Sequence, residues 1–192
     1  MVTSLDKNTA LVLIDLQNGI VGLPLAHPVA DILSNAAKLV AAFRAAELPV
    51  FVVNVDPSDS PLNFLRKDAK APAMTFPEEW LQIAPEIITQ PSDVLLTKAI
   101  WNAFSNTKID EELKKRNITG IVLAGISTSI GVEGTARAAS EHGYNITFAE
   151  DAMTDMFADA HAHSFKYIFP RIGEVDSTDQ IIAELIKADS AS

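Results

Sequence analysis

Short unbroken apolar runs alternate along this chain with stretches in which apolar residues return every three or four positions, and that alternation decides the fold class. Residues 10–14, 50–55, 93–98, 121–124, 145–149 and 173–175 are short enough, and mostly β-branched enough, to predict strands. The first (Ala-Leu-Val-Leu-Ile) and the fourth (Ile-Val-Leu-Ala) carry no polar position, which predicts parallel strands covered on both faces. Between the first two strands, Val29, Ile32, Leu33, Ala36, Leu39, Val40 and Phe43 mark one face of an amphipathic helix that ends near Glu47, before Pro49. Residues 78–84 predict a short helix stopped by Pro85. Thr107 predicts the cap of a helix to Arg116, with Asp110, Glu111 and Glu112 at its positive end. Further helices are predicted from Ile130 to His142, with Gly143 in the left-handed position that closes it, over 157–169 before Pro170, and from Ser177 or Thr178 through Lys187. The right-handed crossover rule sets the first two strands side by side and parallel. The whole pattern predicts a three-layer α/β/α sandwich around a six-stranded parallel sheet.

One segment breaks the rhythm. Residues 56–75 are polar and proline-punctuated, longer than most connections inside a compact domain, with Phe64, Leu65 and Met74 within the segment and Phe76 just beyond it as apolar anchors. A lid over a pocket and a partner-facing loop are both open readings of it. At 192 residues the chain fits one domain, 1–192, large enough to bury about 70% of its unfolded surface, and no linker-like tract divides it. The 25 acidic residues outnumber the 15 Lys plus Arg, a formal net charge of -10, which repels phosphate backbones and argues against a nucleic-acid partner. The amino terminus shows no signal-peptide pattern, and no apolar run approaches the roughly 18 residues of a membrane span, so a cytoplasmic protein without a membrane partner is expected. With no cysteine at all, disulfides, thiolate metal sites and a cysteine nucleophile are excluded.

Candidate chemistry collects where strands end. Asp15 follows the first strand, Lys98 closes the third, and Gly125 to Gly131 is a strand-to-helix turn after the fourth, so all three open on the carboxyl face of the sheet, where open α/β sheets bind ligands. The first N–H groups of the helix after that turn lack internal partners and can meet an anion or a developing oxyanion. A carboxylate beside an ammonium in a partly dry cleft can exchange a proton under positional control, which makes Asp15 the candidate acid/base. The same residues also suit tight packing at the glycines, a turn at Asp15 and a solvated Lys98. Trp101 and Phe104, three apart just beyond Lys98, are candidate pocket walls or ordinary core. The histidines, His27, His142, His161 and His163, lack ligand spacing, so no metal is expected. Ser127, Thr128 and Ser129 have no nucleophile-elbow frame and read as turn and cap groups. The first strand turn lacks the Gly-x-Gly-x-x-Gly fingerprint, which argues against NAD. Glu133, Arg137 and Glu141 read as a solvated helix face with a supportive Glu133–Arg137 pair.

Three stretches together resemble the isochorismatase-like, or cysteine hydrolase, superfamily of isochorismatases, nicotinamidases and N-carbamoylsarcosine amidases. They are Leu-Val-Leu-Ile-Asp15-Leu-Gln17-Asn, Thr-Lys98-x-x-Trp101-x-x-Phe104-x-x-Thr107, and Ala-Gly125-Ile-Ser-Thr-Ser-Ile-Gly131-Val-Glu-Gly-Thr-Ala-Arg137, and the likeness runs over nearly the whole chain. The resemblance implies a Rossmann-type strand order and a catalytic set of Asp15, Lys98 and, at the family's nucleophile position, Gly131 in place of cysteine. It also implies a cis peptide between Ile126 and Ser127, backbone oxyanion donors at Ser127 and Gly131, and Gln17, Trp101 and Phe104 about the substrate. No cofactor is implied, and the amidases' metal-binding histidines have no counterpart after the second strand. Without a thiol, amide hydrolysis through an acyl-enzyme loses its attacking atom. A vinyl ether of the isochorismate type needs only an acid, so small-molecule hydrolysis with Asp15 as general acid/base leads. A catalytically silent binding or scaffold protein, and a water-activated lactam or carbamoyl hydrolase, are the alternatives. Arg66 and Lys67 are candidate cations for an anionic substrate. Phe64, Phe76 and Trp80 read as an exposed apolar region, and a homo-oligomer, dimer or tetramer, is expected.

Overall fold

The computed structural model describes residues 1–69 and 76–190, with side chains through residue 187, so Met74 of the long loop lies outside the described residues. In chain order the elements are β1 (Thr9–Ile14), α1 (Asn18–Val21), α2 (Val29–Ala45), β2 (Val50–Val55), α3 (Glu78–Leu81), β3 (Val94–Lys98) and α4 (Ile109–Lys115). There follow β4 (Gly120–Ile126), α5 (Glu133–Glu141), β5 (Asn145–Thr154), α6 (Ala158–His163), β6 (Glu174–Asp176) and α7 (Thr178–Ser190). The strands form one parallel sheet in the order β3-β2-β1-β4-β5-β6. This is the six-stranded α/β architecture the apolar pattern predicts, with a Rossmann-type order. Successive crossovers run outward in opposite directions from β1 and β4, so a crevice opens between the carboxyl ends of those two strands.

The pleat of β1 divides the core. Leu11 and Leu13 point to one face, where they meet Leu33, Leu39 and Phe43 of α2 and Ile181 of α7; Ala10, Val12 and Ile14 point to the other, against Ile109 and Leu113 of α4 and Ala136 of α5. All of β1 is buried, which is why its sequence shows no polar alternation. Phe148 and Phe169 stack with ring centroids 3.9 Å apart, and Phe165 meets Phe169 edge-on at 4.9 Å, closing the layer under β5.

Several boundaries differ from the sequence reading, each for a local reason. The fifth strand runs to Thr154 rather than residue 149, because the pairing shifts between Leu123 and Gly125 and lets Met153 and Thr154 pair with Gly125 and Ile126. Asp151, inside that extension, accepts hydrogen bonds at Oδ1 from the backbone N and Oγ1 of Thr178, both 2.7 Å, and so anchors the start of α7. The helix predicted from Ile130 begins earlier, as a π turn over Thr128–Val132 that feeds α5. The segment 157–169 is α only in α6, then π over Ser164–Ile168 and 3-10 over Phe169–Arg171. The helix of residues 78–84 shrinks to α3, and α1 has no apolar periodicity to announce it. Thr107 does serve the start of α4, accepting from Ile109 N at 3.1 Å while donating to Ala103 O at 2.6 Å.

Gly125, the last pair partner of Ile14, adopts φ 134, and a Cβ there would collide with the Ile14 backbone carbonyl. Gly125→Ala is therefore expected to destabilise the fold by about 3 kcal/mol or more. Calorimetry should show Tm lower by roughly 8 °C.

Candidate active site

Asp15 leaves β1 with its backbone turned to φ 53, a left-handed conformation that aspartate tolerates better than most side chains, and its N–H remains bonded to Val53 O at 2.8 Å. That turn carries the carboxylate into the crevice, where it is 4% exposed. Lys98 ends β3 and reaches past the end of β2 to donate from Nζ to Asp15 Oδ2 at 2.7 Å and to Ile100 O at 3.1 Å. Asp15 Oδ1 is buried with no hydrogen-bond partner. Burial pushes the Asp15 pKa up to about 6, against the Lys98 charge and hydrogen bond, which pull it down. A carboxyl poised there can hold or give a proton near neutral pH.

Gly131 stands directly against this carboxyl. A Cβ at 131 would lie 3.0 Å from Asp15 Oδ2 and 3.1 Å from Ile14 Cγ2. The preceding Ile126–Ser127 peptide is cis. Asp15, Lys98, Ile126, Ser127 and Gly131, together with Trp101, line one cleft of about 470 Å³. The structure thus brings together the Asp–Lys pair and the glycine-bracketed turn.

The back of that turn is bolted to the end of β5. Thr128 Oγ1 donates to Thr154 O at 3.0 Å, and Ser129 gives both its N–H and its Oγ to Asp155 Oδ2, each 2.8 Å. These hydroxyls are tertiary ties rather than the turn and cap groups read from sequence. Because Thr128 has spent its one proton on Thr154 O, its oxygen accepts from His161 Nδ1 at 2.9 Å. His27 reaches Thr154 Oγ1 at 2.9 Å, and the His27 and His161 rings stand 4.7 Å apart. Burial first, then the His27 charge, lower the His161 pKa to about 4, so its imidazole is neutral near pH 7. Nothing in the spacing of 27 and 161 signals that the two rings meet. Among the described residues, no three His, Cys, Asp or Glu side chains gather as metal ligands would.

Two expected wall residues stand elsewhere. Gln17 is fully buried and clamps β2, accepting from Val55 N at 2.7 Å and donating to Val55 O at 2.9 Å and Trp80 O at 3.4 Å, which uses its amide before any substrate arrives. Phe104 packs on His142 and Tyr144, with centroids 5.1 and 5.9 Å away, because residues 101–108 bend instead of forming a helix and a three-residue spacing no longer means one face. Lys67 lines the cleft and Arg66 does not. The aromatic residues read as exposed also divide: Phe76 and Trp80 join the cleft wall, while Phe64 is 86% exposed. Glu133 is not merely solvated, since its Oε2 accepts from Ser164 Oγ at 2.6 Å while Oε1 pairs with Arg137. Trp80 is one of the wall residues that sequence reasoning missed, and it is seated on Gly19. A Cβ at 19 would collide with the indole ring, so the glycine after Asn18 is what seats Trp80.

Residues 9–180 match the isochorismatase domain family. The chain is 44% identical over 184 residues to the isochorismatase family protein YecD of Escherichia coli O157:H7, covering 93% of this chain and 97% of that one. An isochorismatase family protein of Burkholderia thailandensis superposes with a TM-score of 0.90 at 39% identity, over 95% of this chain and 98% of its own. The N-carbamoylsarcosine amidase of Thermoplasma acidophilum gives a TM-score of 0.73 at 27% identity, over 90% and 97%. With its strand order, its buried Asp–Lys pair and a family match over nearly its whole length, the chain belongs to the isochorismatase family of hydrolases in the cysteine hydrolase superfamily.

Proposed function

We propose that this hydrolase cleaves a vinyl ether of the isochorismate type, with Asp15 as general acid and no covalent enzyme intermediate. The observation that carries the reading is the buried Asp15 carboxyl, with one oxygen unpartnered and its pKa raised to about 6, beside a residue that has no side chain. Protonated Asp15 delivers its proton to the terminal carbon of the enol ether, and the ether oxygen shares the resulting positive charge as an oxocarbenium ion. Water adds to the oxocarbenium carbon, the one that bears the ether oxygen, and the hemiketal so formed collapses to a keto acid and an alcohol. The proton lost by the water restores Asp15. Lys98 holds the carboxylate formed in the first step and keeps Oδ2, the oxygen beside Gly131, in place. In this reading Gly131 occupies the family's nucleophile position, and the N–H groups of Ser127 and Gly131 face developing negative charge as the hemiketal breaks down.

Amide hydrolysis by a water activated at Asp15 is the second reading, favoured by the likeness to N-carbamoylsarcosine amidase. It uses the same carboxyl in its ionised form, as a base. Assaying the purified protein on isochorismate and on a panel of amides and carbamoyl compounds, with Asp15→Asn as control, separates the two. Mass spectrometry of quenched turnover should find only the unmodified chain. A substrate-derived adduct on Ser127, Thr128 or Ser129 would overturn the mechanism, and a chain inert on both panels would leave ligand binding as its role. The same reading includes a cytoplasmic homo-oligomer, supported by the exposed Phe64 and Leu65. Sedimentation at micromolar concentration should then show a species heavier than the 20.7 kDa chain.

A further inference from the structure

The wall of the cleft says more about the substrate than the catalytic pair does. The wall is mainly apolar, with Ile20, Leu62, Phe76, Trp80, Trp101 and Met156 among its side chains, and the chain's 2 tryptophans are both part of it. The polar groups of the wall are largely committed to the protein itself. Lys98 serves Asp15 and Ile100 O, Asn63 donates to Pro57 O at 2.9 Å and Ser58 O at 3.4 Å, and Ser60 Oγ accepts from Leu62 N at 3.3 Å. What is left for a ligand among the described wall residues is the Asp15 carboxyl, the hydroxyls of Ser60 and Ser127, the Asn63 carbonyl oxygen, the two indole N–H groups, the N–H groups of Ser127 and Gly131 and, as a cation, Lys67. Lys67 spends one donor on Leu62 O at 3.1 Å and keeps two. A dicarboxylate would leave one carboxylate against indole and aliphatic surface with no second uncommitted cation among the described wall residues, in a chain whose net charge of -10 already repels a dianion.

We infer that the cleft takes a substrate with a flat apolar body and a single anionic group, the anion held by Lys67 at the mouth and the body laid along Trp80 and Trp101. The inference rests on the proposed function only for the bond that is broken. An aryl enolpyruvyl ether such as 2-phenoxyacrylate has this form, and with one water it would give phenol and pyruvate.

Because both tryptophans line the cleft, intrinsic fluorescence reads occupancy without turnover. Three unreactive ethers isolate the charge: 2-phenoxypropionate, its 3-carboxyphenoxy analogue with a second carboxylate, and the neutral 2-phenoxypropanol. The monoanion is expected to bind about tenfold tighter than either of the others. Lys67→Met should bring it down to the level of the neutral ether, and Lys67→Arg should preserve it. Trp101→Ala should weaken all three. A dianion that binds as tightly as the monoanion, or a Lys67→Met protein with unchanged preference, overturns the inference. Hydrolysis of 2-phenoxyacrylate is scored separately: selective binding of the monoanion without turnover would sink the vinyl-ether reading and leave the ligand class standing.

Discussion

Asp15→Asn is expected to lower kcat/KM by at least about a hundredfold, the loss that follows removal of a positioned general acid. Asparagine fills the same volume and can turn its carbonyl oxygen toward Lys98, which places an NH2 group where Oδ1 stood. That group cannot deliver a proton to carbon. The substitution also leaves the Lys98 ammonium buried without a counter-charge, a change that typically destabilises by about 3–5 kcal/mol, so the folded fraction must be measured beside the rate. The double variant Asp15→Asn, Lys98→Met removes the stranded charge. If it regains stability and stays inactive, the rate loss belongs to chemistry rather than unfolding. Ser127→Ala and Ser129→Ala are the contrasting pair. Both keep their backbone N–H groups, and Ser129 keeps its N–H bond to Asp155 when its hydroxyl is gone. Each should cost less than about tenfold. An Asp15→Asn protein with near-normal activity, or a serine variant as damaged as it, would show that the proton donor has been misassigned.

The fold was legible because its strands are buried without compromise. In β1 and β4 every residue is buried, so sequence polarity and position agree. Where a polar residue sits inside an element, the pattern misleads: Glu150 and Asp151 end the apolar run of β5, yet the strand continues through them because Asp151 is needed under α7. The site divides in the same way. Asp15 and Lys98 could be placed from strand ends, since the carboxyl edge of a parallel sheet is one surface. Gln17 and Phe104 could not, because each lies in irregular chain where spacing says nothing about direction: Gln17 turns inward to bind Val55, and Phe104 turns away to Tyr144. Trp80 and Gly19 meet across sixty-odd positions, as do Thr128 and His161 over a shorter gap. Such pairs are made by the closing of loops around a sheet already formed, and a single sequence carries no periodic trace of them.

The pH profile should decide between acid and base chemistry at Asp15. If the protonated carboxyl is the catalyst, kcat/KM on a vinyl ether is level below about 6, where burial holds the Asp15 pKa. Above it the rate constant falls about tenfold per pH unit, to roughly a hundredth of the plateau two units higher. If the ionised carboxyl activates water on an amide, the profile inverts, rising toward a plateau above that pKa. Spontaneous hydrolysis of a vinyl ether also speeds up in acid, but it has no plateau, so the level region at low pH identifies the enzyme's own group. Lys98 supplies the check on assignment. Its charge and hydrogen bond are what hold the Asp15 pKa down against burial, so Lys98→Met should move the inflection upward by at least about one unit. The same shift fixes the sign of a stability effect. Folded Asp15 binds its proton more tightly than the unfolded chain, whose carboxyl has the ordinary value of 3.8. Its contribution therefore favours folding increasingly as pH drops from about 6 towards 3.8, and disfavours it above that window. Asp110, Glu112 and Asp176, whose folded pKa values are lowered, act in the opposite sense, so total acid stability cannot isolate Asp15. The difference in stability between the wild-type chain and Asp15→Asn can. It should shift in favour of the wild type as pH falls from 7 to 4, and a difference that stays flat or moves the other way would remove the raised carboxyl on which the acid mechanism stands.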